Sequence, residues 1–251
     1  MNLILRRALY VLWPLLMASQ RVNGADLSPG EAERIGQELA AELRGARPGS
    51  SSTNGGSLRL RDAKGRRREF PVTVVTLVGK DEWSISYQAR FTNGASETLT
   101  ARYRSVGAPI YEVAHGFPGA ALANAPQVLG ATETAVPFAG SDFWVCDLGL
   151  EFLHWPAQRY VKNELSNGRL CQVLESSNPG TNGYSKVWSY IDEEFKGLLS
   201  AKAFDARGFQ IKDFSTGSFT KVNDRWFLKD IRIRDKRADT LTELQYALPS
   251  E

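Results

Sequence analysis

Apolar and polar residues alternate with a period of two along most of the chain, a pattern typical of strands with one buried face. Trp83, Ile85 and Tyr87, for example, alternate with serine and glutamine residues. Turn sequences such as Asn167-Gly168 separate these segments and favour tight hairpins. The pattern predicts about eleven strands. They lie at 57–62, 67–78, 83–91, 97–104, 159–165, 169–175, 184–192, 198–205, 209–220, 226–234 and 240–248.

The period changes near the beginning of the chain, where one helix is predicted over residues 29–44. The sequence Ser-Pro-Gly-Glu at 28–31 has the form of a capping box with proline at the first helical position. Ile35, Leu39 and Leu43 follow at the spacing of one helical face. Because only one face is apolar, we expect this helix to pack on the sheet.

Residues 140–155 contain many aromatic and leucine side chains between polar turns. The segment predicts a strand end that turns into a short helix, with Leu148, Phe152 and Trp155 on one face. Such a segment is expected to be buried, closing the mouth or floor of a curved sheet.

Residues 107–137 have no repeating pattern and are rich in proline, glycine and alanine. The stretch is too long for an ordinary connection, so it is interpreted as a functional flap or a partly mobile insertion. His115 lies within it without cysteine or acidic residues at the spacing of metal ligands, which favours a simple surface residue.

The first 24 residues have the form of a secretory signal. Two arginines precede an apolar run at 8–18, and Val22 and Gly24 occupy the small-residue positions of a cleavage site. The run is too short for a typical membrane span, although an uncleaved N-terminal anchor is the alternative. Cleavage near Gly24 would leave residues 25–251, which are predicted to form one domain.

The formal charge of +3 comes from this predicted signal, which contains three arginines and no acidic residue. The mature chain is therefore formally neutral. Nucleic-acid binding requires a surplus of lysine and arginine, so a nucleic-acid partner is not expected.

Two cysteines, Cys146 and Cys171, remain in a protein that is expected to be exported. A disulfide between them is possible in an oxidising compartment. The alternative is two buried free thiols, which behave as small apolar side chains.

The sequence contains no motif of a known catalytic or cofactor site, such as Gly-x-Ser-x-Gly or His-Glu-x-x-His. The two histidines, His115 and His154, have no evident partners for a catalytic triad. Asp142 and Asp147 could face one another across a turn, but capping of a short helix that begins near Asp147 is favoured. We therefore expect neither an enzyme nor a cofactor or metal; a hydrolase on residues 107–137 is the third hypothesis.

Residues 140–148 carry a family resemblance. Gly140-Ser141-Asp142-Phe143, followed by Asp147-Leu148, resembles the Gly-Ser-Asp-Phe and Asp-Leu signature of LolA-like outer-membrane lipoprotein-sorting proteins. Downstream, the similar motifs are Cys171-x-Val173-Leu174-Glu175, Val187-Trp188-x-x-Ile191-Asp192, Ala203-x-Asp205-x-x-Gly208 and Thr240-x-Thr242-x-Leu244. Cys146 departs from the pattern, since an acidic residue usually precedes the aspartate, and residues 107–137 are hard to align.

The resemblance implies a mainly β fold, in which a strongly curved antiparallel sheet forms an unclosed β-barrel with covering helices. It also implies an apolar hollow that takes lipid acyl chains. The candidate lining residues are Ile35, Leu39, Leu43, Trp83, Ile85, Tyr87, Trp188 and Tyr190. The alternative is that these side chains fill the barrel as an ordinary core, since barrels of this size occur both ways.

The function that the resemblance implies is a periplasmic carrier or chaperone. It would bind lipid acyl chains or lipid-modified proteins for transport to, or sorting at, the outer membrane. An inner-membrane lipoprotein-releasing or lipid-export complex is an implied partner. The alternative is a non-catalytic protein-interaction or sensor module on the same fold.

Overall fold

The protein is described by a computed structural model that covers residues 27–118, 124–178, 183–222 and 225–247. The predicted signal sequence at 1–24 lies outside these ranges. Within them, thirteen strands form one antiparallel sheet, and two further strands form a separate hairpin. The large sheet is not closed into a barrel. The prediction of a mainly β, unclosed half-barrel with covering helices is therefore confirmed.

The sheet has the strand order β6-β5-β4-β3-β2-β1-β15-β14-β11-β10-β9-β8-β7. The strands are β1 (Ser52–Arg61), β2 (Arg67–Val78), β3 (Glu82–Arg90), β4 (Ser96–Arg104), β5 (Ile110–Gly116), β6 (Gln127–Val128), β7 (Ala157–Ser166), β8 (Arg169–Ser177), β9 (Lys186–Asp192), β10 (Leu198–Phe204), β11 (Gln210–Thr216), β12 (Phe219–Val222), β13 (Arg225–Leu228), β14 (Asp230–Asp235) and β15 (Thr240–Tyr246). The helices are α1 (Pro29–Gly45), α2 (Val145–Leu148) and a 3₁₀ helix at Glu151–His154.

Two of the predicted strands are each divided in the structure. The predicted strand 209–220 separates into β11 and β12, and 226–234 separates into β13 and β14. The break occurs at Gly217, whose backbone N–H donates to the carbonyl of Asp230 and closes the base of the β12–β13 hairpin. The alternation of side chains continues through the break, so the sequence pattern does not reveal it.

The prediction that residues 107–137 lack regular structure is wrong at Ile110–Gly116, which forms β5. This strand pairs with β4 in a regular antiparallel register. Tyr111 is buried in the core, whereas His115 is exposed at the end of the strand. The strand is short, and flanking glycine and proline residues obscure its two-residue period.

Helix α1 begins as predicted, because the Ser28 side chain accepts a hydrogen bond from the backbone N–H of Glu31 at 3.3 Å. Its apolar face covers the open side of the sheet. Leu39 is buried, and Ile35 and Leu43 pack around it against the 3₁₀ helix and the inner residues of β7 and β8. The helix is thus a cover over the half-barrel, as predicted from its single apolar face.

Cys146 and Cys171 are both buried free thiols. Cys146 belongs to the cluster beneath α1, whereas Cys171 packs with Val173 and Tyr190 in a separate cluster. Successive strand residues face opposite sides of a sheet. Leu174 faces the α1 cluster, so Cys171 and Val173 point to the other side. The predicted disulfide is therefore not formed, and the alternative of two buried thiols holds.

The turn between β9 and β10 depends on the Asp192 carboxylate, and this gives a prediction about acid pH. The hydrogen bond from Arg169, together with backbone N–H groups of Glu194 and Phe195, lowers the pKa of Asp192 to about 2. A lowered carboxyl pKa stabilises the folded state above the unfolded pKa, and this stability is lost as the pH falls through the folded pKa. Asp192→Asn is expected to cost about 1 to 2 kcal/mol at pH 7, after allowance for screening at the half-exposed Arg169.

The difference between the wild type and Asp192→Asn should shrink as the pH falls from about 4 to 2. Urea unfolding at several pH values measures it. Asp81→Asn, in the exposed turn between β2 and β3, is the control and should change the unfolding free energy by less than about 0.5 kcal/mol. A cost for Asp192→Asn that is constant from pH 7 to pH 2 would contradict the assignment.

Candidate functional site

The segment 138–155 lies on the concave side of the sheet and is called the plug here. Hydroxyl groups of Thr240 and Thr242, on β15, donate to the two carboxylate oxygens of Asp142. The backbone N–H of Asp142 donates to the Thr242 oxygen at 2.9 Å. Gly140 has a φ of 64°, in the left-handed region that glycine adopts without strain. The Gly-Ser-Asp sequence therefore makes a tight turn and fastens the plug to the sheet.

The apolar residues of the plug are packed into the core. Phe143 has no exposed surface, and Leu148 is also buried. The Ser141 hydroxyl accepts a hydrogen bond from the backbone N–H of Phe143 at 3.1 Å. Leu150 has a left-handed φ of 49° and separates α2 from the 3₁₀ helix. Leu148, Phe152 and Trp155 are all buried as expected, but not on one helix: Leu148 ends α2, Phe152 lies in the 3₁₀ helix and Trp155 follows that helix.

A buried ion pair holds the plug on its other side. The Lys212 ammonium, on β11, lies 3.3 Å from an Asp147 carboxylate oxygen and donates to the Asp142 carbonyl at 2.6 Å. It also lies 3.6 Å from the centre of the Trp144 ring. The Tyr184 hydroxyl donates to the other carboxylate oxygen of Asp147 at 2.7 Å. This cluster connects the plug to β11 and to the segment that precedes β9.

Asp147 also caps the short helix, because its carboxylate accepts a hydrogen bond from the backbone N–H of Trp144 at 2.8 Å. Helix α2 begins at Val145, so Asp147 is its third residue instead of its first. The capping interpretation is therefore correct in kind, with the helix beginning two residues earlier. Lys212 donates to the Asp142 carbonyl and to the Asp147 carboxylate. The two aspartates are therefore connected through a lysine and do not form the facing pair of carboxylates that was the alternative hypothesis.

Burial determines the charge behaviour of this cluster. Removal from water lowers the pKa of the Lys212 ammonium, while the nearby Asp147 carboxylate opposes this effect. Burial, and then the negative charge of Asp147, raise the pKa of Tyr184 well above its usual value. The cavity among these side chains has a volume of only about 10 Å³. The centre of the half-barrel is therefore filled by side chains, and no ligand fits there without displacing them.

The predicted lipid-binding residues fall into four groups. Ile35, Leu39 and Leu43 lie beneath α1, and Ile85 and Tyr87 pack in the core beside the plug. Trp188 and Tyr190 lie in the cluster of Cys171 and Val173, on the face of the sheet away from α1. Trp83 lines an open cleft. The prediction therefore placed Trp188 and Tyr190 on the wrong face, because alternation does not tell which side is concave.

This opening, called the mouth cleft here, has a volume of about 600 Å³. It lies between the end of α1, the turn between β2 and β3, the end of β4 and the 3₁₀ helix. Aromatic and basic side chains line much of it. They include Trp83, Tyr103, Trp155, Arg44, Arg104 and His154. Its size is in the range typical of small-molecule binding sites.

Stacked aromatic rings form one wall of the mouth cleft. The rings of Trp83 and Tyr103 are 3.9 Å apart and nearly parallel, at 10°. The Tyr103 hydroxyl donates to the carbonyl of Gly149 at 3.1 Å, which fixes the ring against the plug. His154 lies on the facing side, with its Nδ1 3.2 Å from the carbonyl of Gly107. The wall is thus an apolar surface that a hydrogen bond ties to the plug, with polar groups at its border.

Tyr103 was not among the predicted site residues, although its position in the alternating pattern of β4 indicated which face it occupies. It alternates with Ala101 and Leu99 on β4, and the hairpin register places it directly opposite Trp83. Arg44, Arg104 and His154 carried no comparable signal, because they come from three segments that only the fold brings together.

In the described ranges, no group of three histidine, cysteine or acidic side chains is arranged to hold a metal ion. No helix in the same part of the chain is long and apolar enough to span a membrane.

Comparison with solved structures identifies the fold. A domain from Vibrio parahaemolyticus assigned to outer membrane lipoprotein sorting matches with a TM-score of 0.70 and 17% identity, over 88% of this chain and 92% of that one. A DUF1329 family protein from Desulfovibrio piger matches with a TM-score of 0.69 and 15% identity, over 86% and 91%. A LolA superfamily protein from Nitrosomonas europaea has a TM-score of 0.59 and 14% identity, over 86% and 92%.

Comparison with curated proteins finds no match. A family model with the description "Uncharacterized protein" matches residues 124–249, which is half of the chain and contains the plug and the strands from β6 to β15. The resemblance first seen in the Gly140–Leu148 motif thus agrees with the fold of the whole described chain. The chain belongs to the family of this model, and its fold is that of the solved LolA-like lipoprotein-sorting structures.

Proposed function

We propose that this protein is a periplasmic carrier that binds the acyl chain of a lipid or of a lipid-modified protein in the mouth cleft. The observation that carries the proposal is an open cleft of about 600 Å³ walled by the stacked Trp83 and Tyr103 rings. An apolar chain that lies on these rings would be removed from water, which favours binding by about 25 cal/mol for each Å² buried. The fold of the solved lipoprotein-sorting domain supports the same class of ligand.

The mouth cleft, instead of the centre of the half-barrel, is the proposed binding site. The centre is closed by the plug and occupied by the buried Lys212 and Asp147 ion pair, which leaves no apolar space for an acyl chain. The end of α1 borders the mouth cleft, so a small movement of this helix would change its width. Delivery to the outer membrane and loading by an inner-membrane lipoprotein-releasing or lipid-export complex belong to the same proposal, as does export by the sequence at 1–24.

Trp83→Ala is expected to weaken the binding of a fluorescent fatty acyl probe by about tenfold. Loss of one aromatic wall removes both buried area and ring contact, together worth about 1.4 kcal/mol. The measurement is probe fluorescence titrated with the purified protein, with the fold checked by circular dichroism.

Trp188→Ala is the matched control, because Trp188 lies on the face of the sheet away from the mouth cleft. It should bind the probe as the wild type does, whatever its effect on stability. If both variants bind equally well, the chain does not lie on Trp83. If the wild type binds no probe but captures a protein, the interaction-module hypothesis replaces the carrier. Turnover of an ester panel would favour an enzyme.

A further inference from the structure

The mouth cleft has a basic border as well as an apolar wall. Arg44, Arg47 and Arg104 all line it, and Asp81 is the one acidic residue among the lining residues of the described chain. On this arrangement, and resting on the proposed carrier function, we propose that the ligand is an amphiphile with an anionic headgroup, such as a phosphate ester. Its tail lies on the Trp83 and Tyr103 rings, and its headgroup is held by Arg44.

The three arginines are not equivalent. The Arg47 guanidinium donates to backbone carbonyls of Gly79, Lys80 and Glu82, so most of its donors are occupied by the turn between β2 and β3. Arg47 is therefore a brace for this turn. Its positive charge still contributes to the cleft, but its donors are not free to turn toward a ligand.

Arg44 keeps N–H donors that can bind a ligand. One of its terminal nitrogens donates to the Leu153 carbonyl at 2.5 Å, and this bond fixes the guanidinium at the border of the cleft. Among the described residues, no carboxylate lies within 4.0 Å of Arg44 to form an ion pair. A guanidinium has five N–H donors in a planar fork that fits phosphate and carboxylate oxygens. Arg44 is thus a half-buried, positioned cation whose charge has no counter-ion in the described ranges.

Arg104 follows Tyr103 on β4, and successive strand residues face opposite sides of a sheet. Its side chain therefore leaves the strand on the face away from the Trp83 and Tyr103 rings, where its Nε is 3.7 Å from a Glu82 carboxylate oxygen. Arg104 adds positive charge at the border of the cleft, but Arg44 is the residue placed to contact the headgroup.

The pKa of His154 depends on the charges inside the cleft. Burial, and then the positive charge of Arg44, lower the pKa of its imidazole. A bound anion near Arg44 would offset this positive charge and raise the pKa of His154 again. The histidine is therefore a natural probe of headgroup binding.

Isothermal titration of the purified protein with three ligands tests the proposal. The ligands are lauroyl-lysophosphatidylglycerol, neutral monolaurin with the same chain, and glycerol 3-phosphate without a chain. We expect the anionic lysolipid to bind at least tenfold more tightly than monolaurin, and glycerol 3-phosphate to bind too weakly to measure.

Each other outcome has a distinct meaning. Equal affinity for the two amphiphiles overturns the anionic headgroup but leaves the carrier function intact. Failure of both amphiphiles to bind overturns the carrier function, and this inference with it. Glycerol 3-phosphate binding as tightly as the lysolipid would mean a site for free phosphate esters, which overturns the amphiphile.

Variants locate the headgroup. Arg44→Gln is expected to reduce the preference for the anionic lysolipid by about fivefold or more, with monolaurin binding unchanged. Because Arg44→Gln also loses the bond to Leu153, Arg44→Lys is the variant that keeps the charge, and it should keep most of the preference. Arg104→Gln, on the other face of the sheet, and Arg90→Gln, at the other end of β3, remove the same charge and should have little effect. A preference that survives Arg44→Gln unchanged contradicts the assignment.

Magnetic resonance gives a second readout. The pKa of the His154 imidazole should rise measurably on binding of the lysolipid, since a nearby anion favours the charged form. Monolaurin should leave it in place or lower it. A rise with monolaurin equal to that with the lysolipid would mean that the shift comes from closure of the cleft and not from the headgroup.

Discussion

Lys212→Met is expected to lower the free energy of unfolding by about 3 to 5 kcal/mol, the cost of removing one partner from a buried ion pair. Methionine fills a similar volume, so the loss is electrostatic. The Asp147 carboxylate would keep its bonds from Trp144 and Tyr184 but lose its counter-ion in a buried site. The carbonyl of Asp142 would also lose its donor. Chemical denaturation with fluorescence detection measures the change.

Two further variants separate the ion pair from simple packing. Lys202→Met, on β10 and on the opposite face of the sheet, removes a half-exposed lysine that bonds to Tyr190. It should cost about 1 kcal/mol or less. The double variant Lys212→Met with Asp147→Asn should be more stable than Lys212→Met alone, because the buried charge is gone. If Lys212→Met costs as little as Lys202→Met, the ion pair does not hold the plug.

Gly36→Val is expected to be the second most damaging substitution, lowering the free energy of unfolding by about 3 kcal/mol or preventing α1 from docking. At Gly36, α1 crosses directly over β7. A Cβ atom there would lie 2.5 Å from the backbone nitrogen of Arg159 and 2.6 Å from its Cα. These neighbours are backbone atoms and cannot turn aside, so the helix must move away from the sheet.

Gly30 provides the matched control in the same helix, because a Cβ atom there meets nothing within 4 Å. Gly30→Ala should leave stability unchanged or raise it by up to about 1 kcal/mol, since alanine favours the helix. Gly36→Ala is an intermediate case with the same clash. Thermal unfolding of the variants compares them, and a Gly36→Val protein as stable as the wild type would mean that α1 does not rest on β7.

The features that the sequence predicted correctly depend on residues that are close together in the chain. Side-chain alternation predicted nearly every strand, and the Ser28 cap with Ile35, Leu39 and Leu43 predicted α1, because these signals lie within a few neighbouring residues. The same logic failed at β5, which is short and bordered by glycine and proline. It also failed at Gly217, where the strand leaves the sheet without any change in its alternation.

The site was less predictable for a physical reason. A two-residue period divides a strand into two faces but does not say which face is concave, so Trp83 and Trp188 looked equivalent. The structure places Trp83 in the mouth cleft and Trp188 on the other side of the sheet. The disulfide prediction failed for the same reason, since Cys171 is buried on the face of the sheet away from Cys146.

The sequence by itself determined the fold class, the covering helix and the family, because alternation, capping and the Gly140–Leu148 motif are local. Tertiary structure alone decided that the centre is filled and that the mouth is open. The burial of Lys212 against Asp147, 65 residues apart in the chain, and the meeting of Arg44, Trp83 and His154 depend on how the sheet curves. Curvature is the sum of small twists over thirteen strands, and no single segment of the sequence records it.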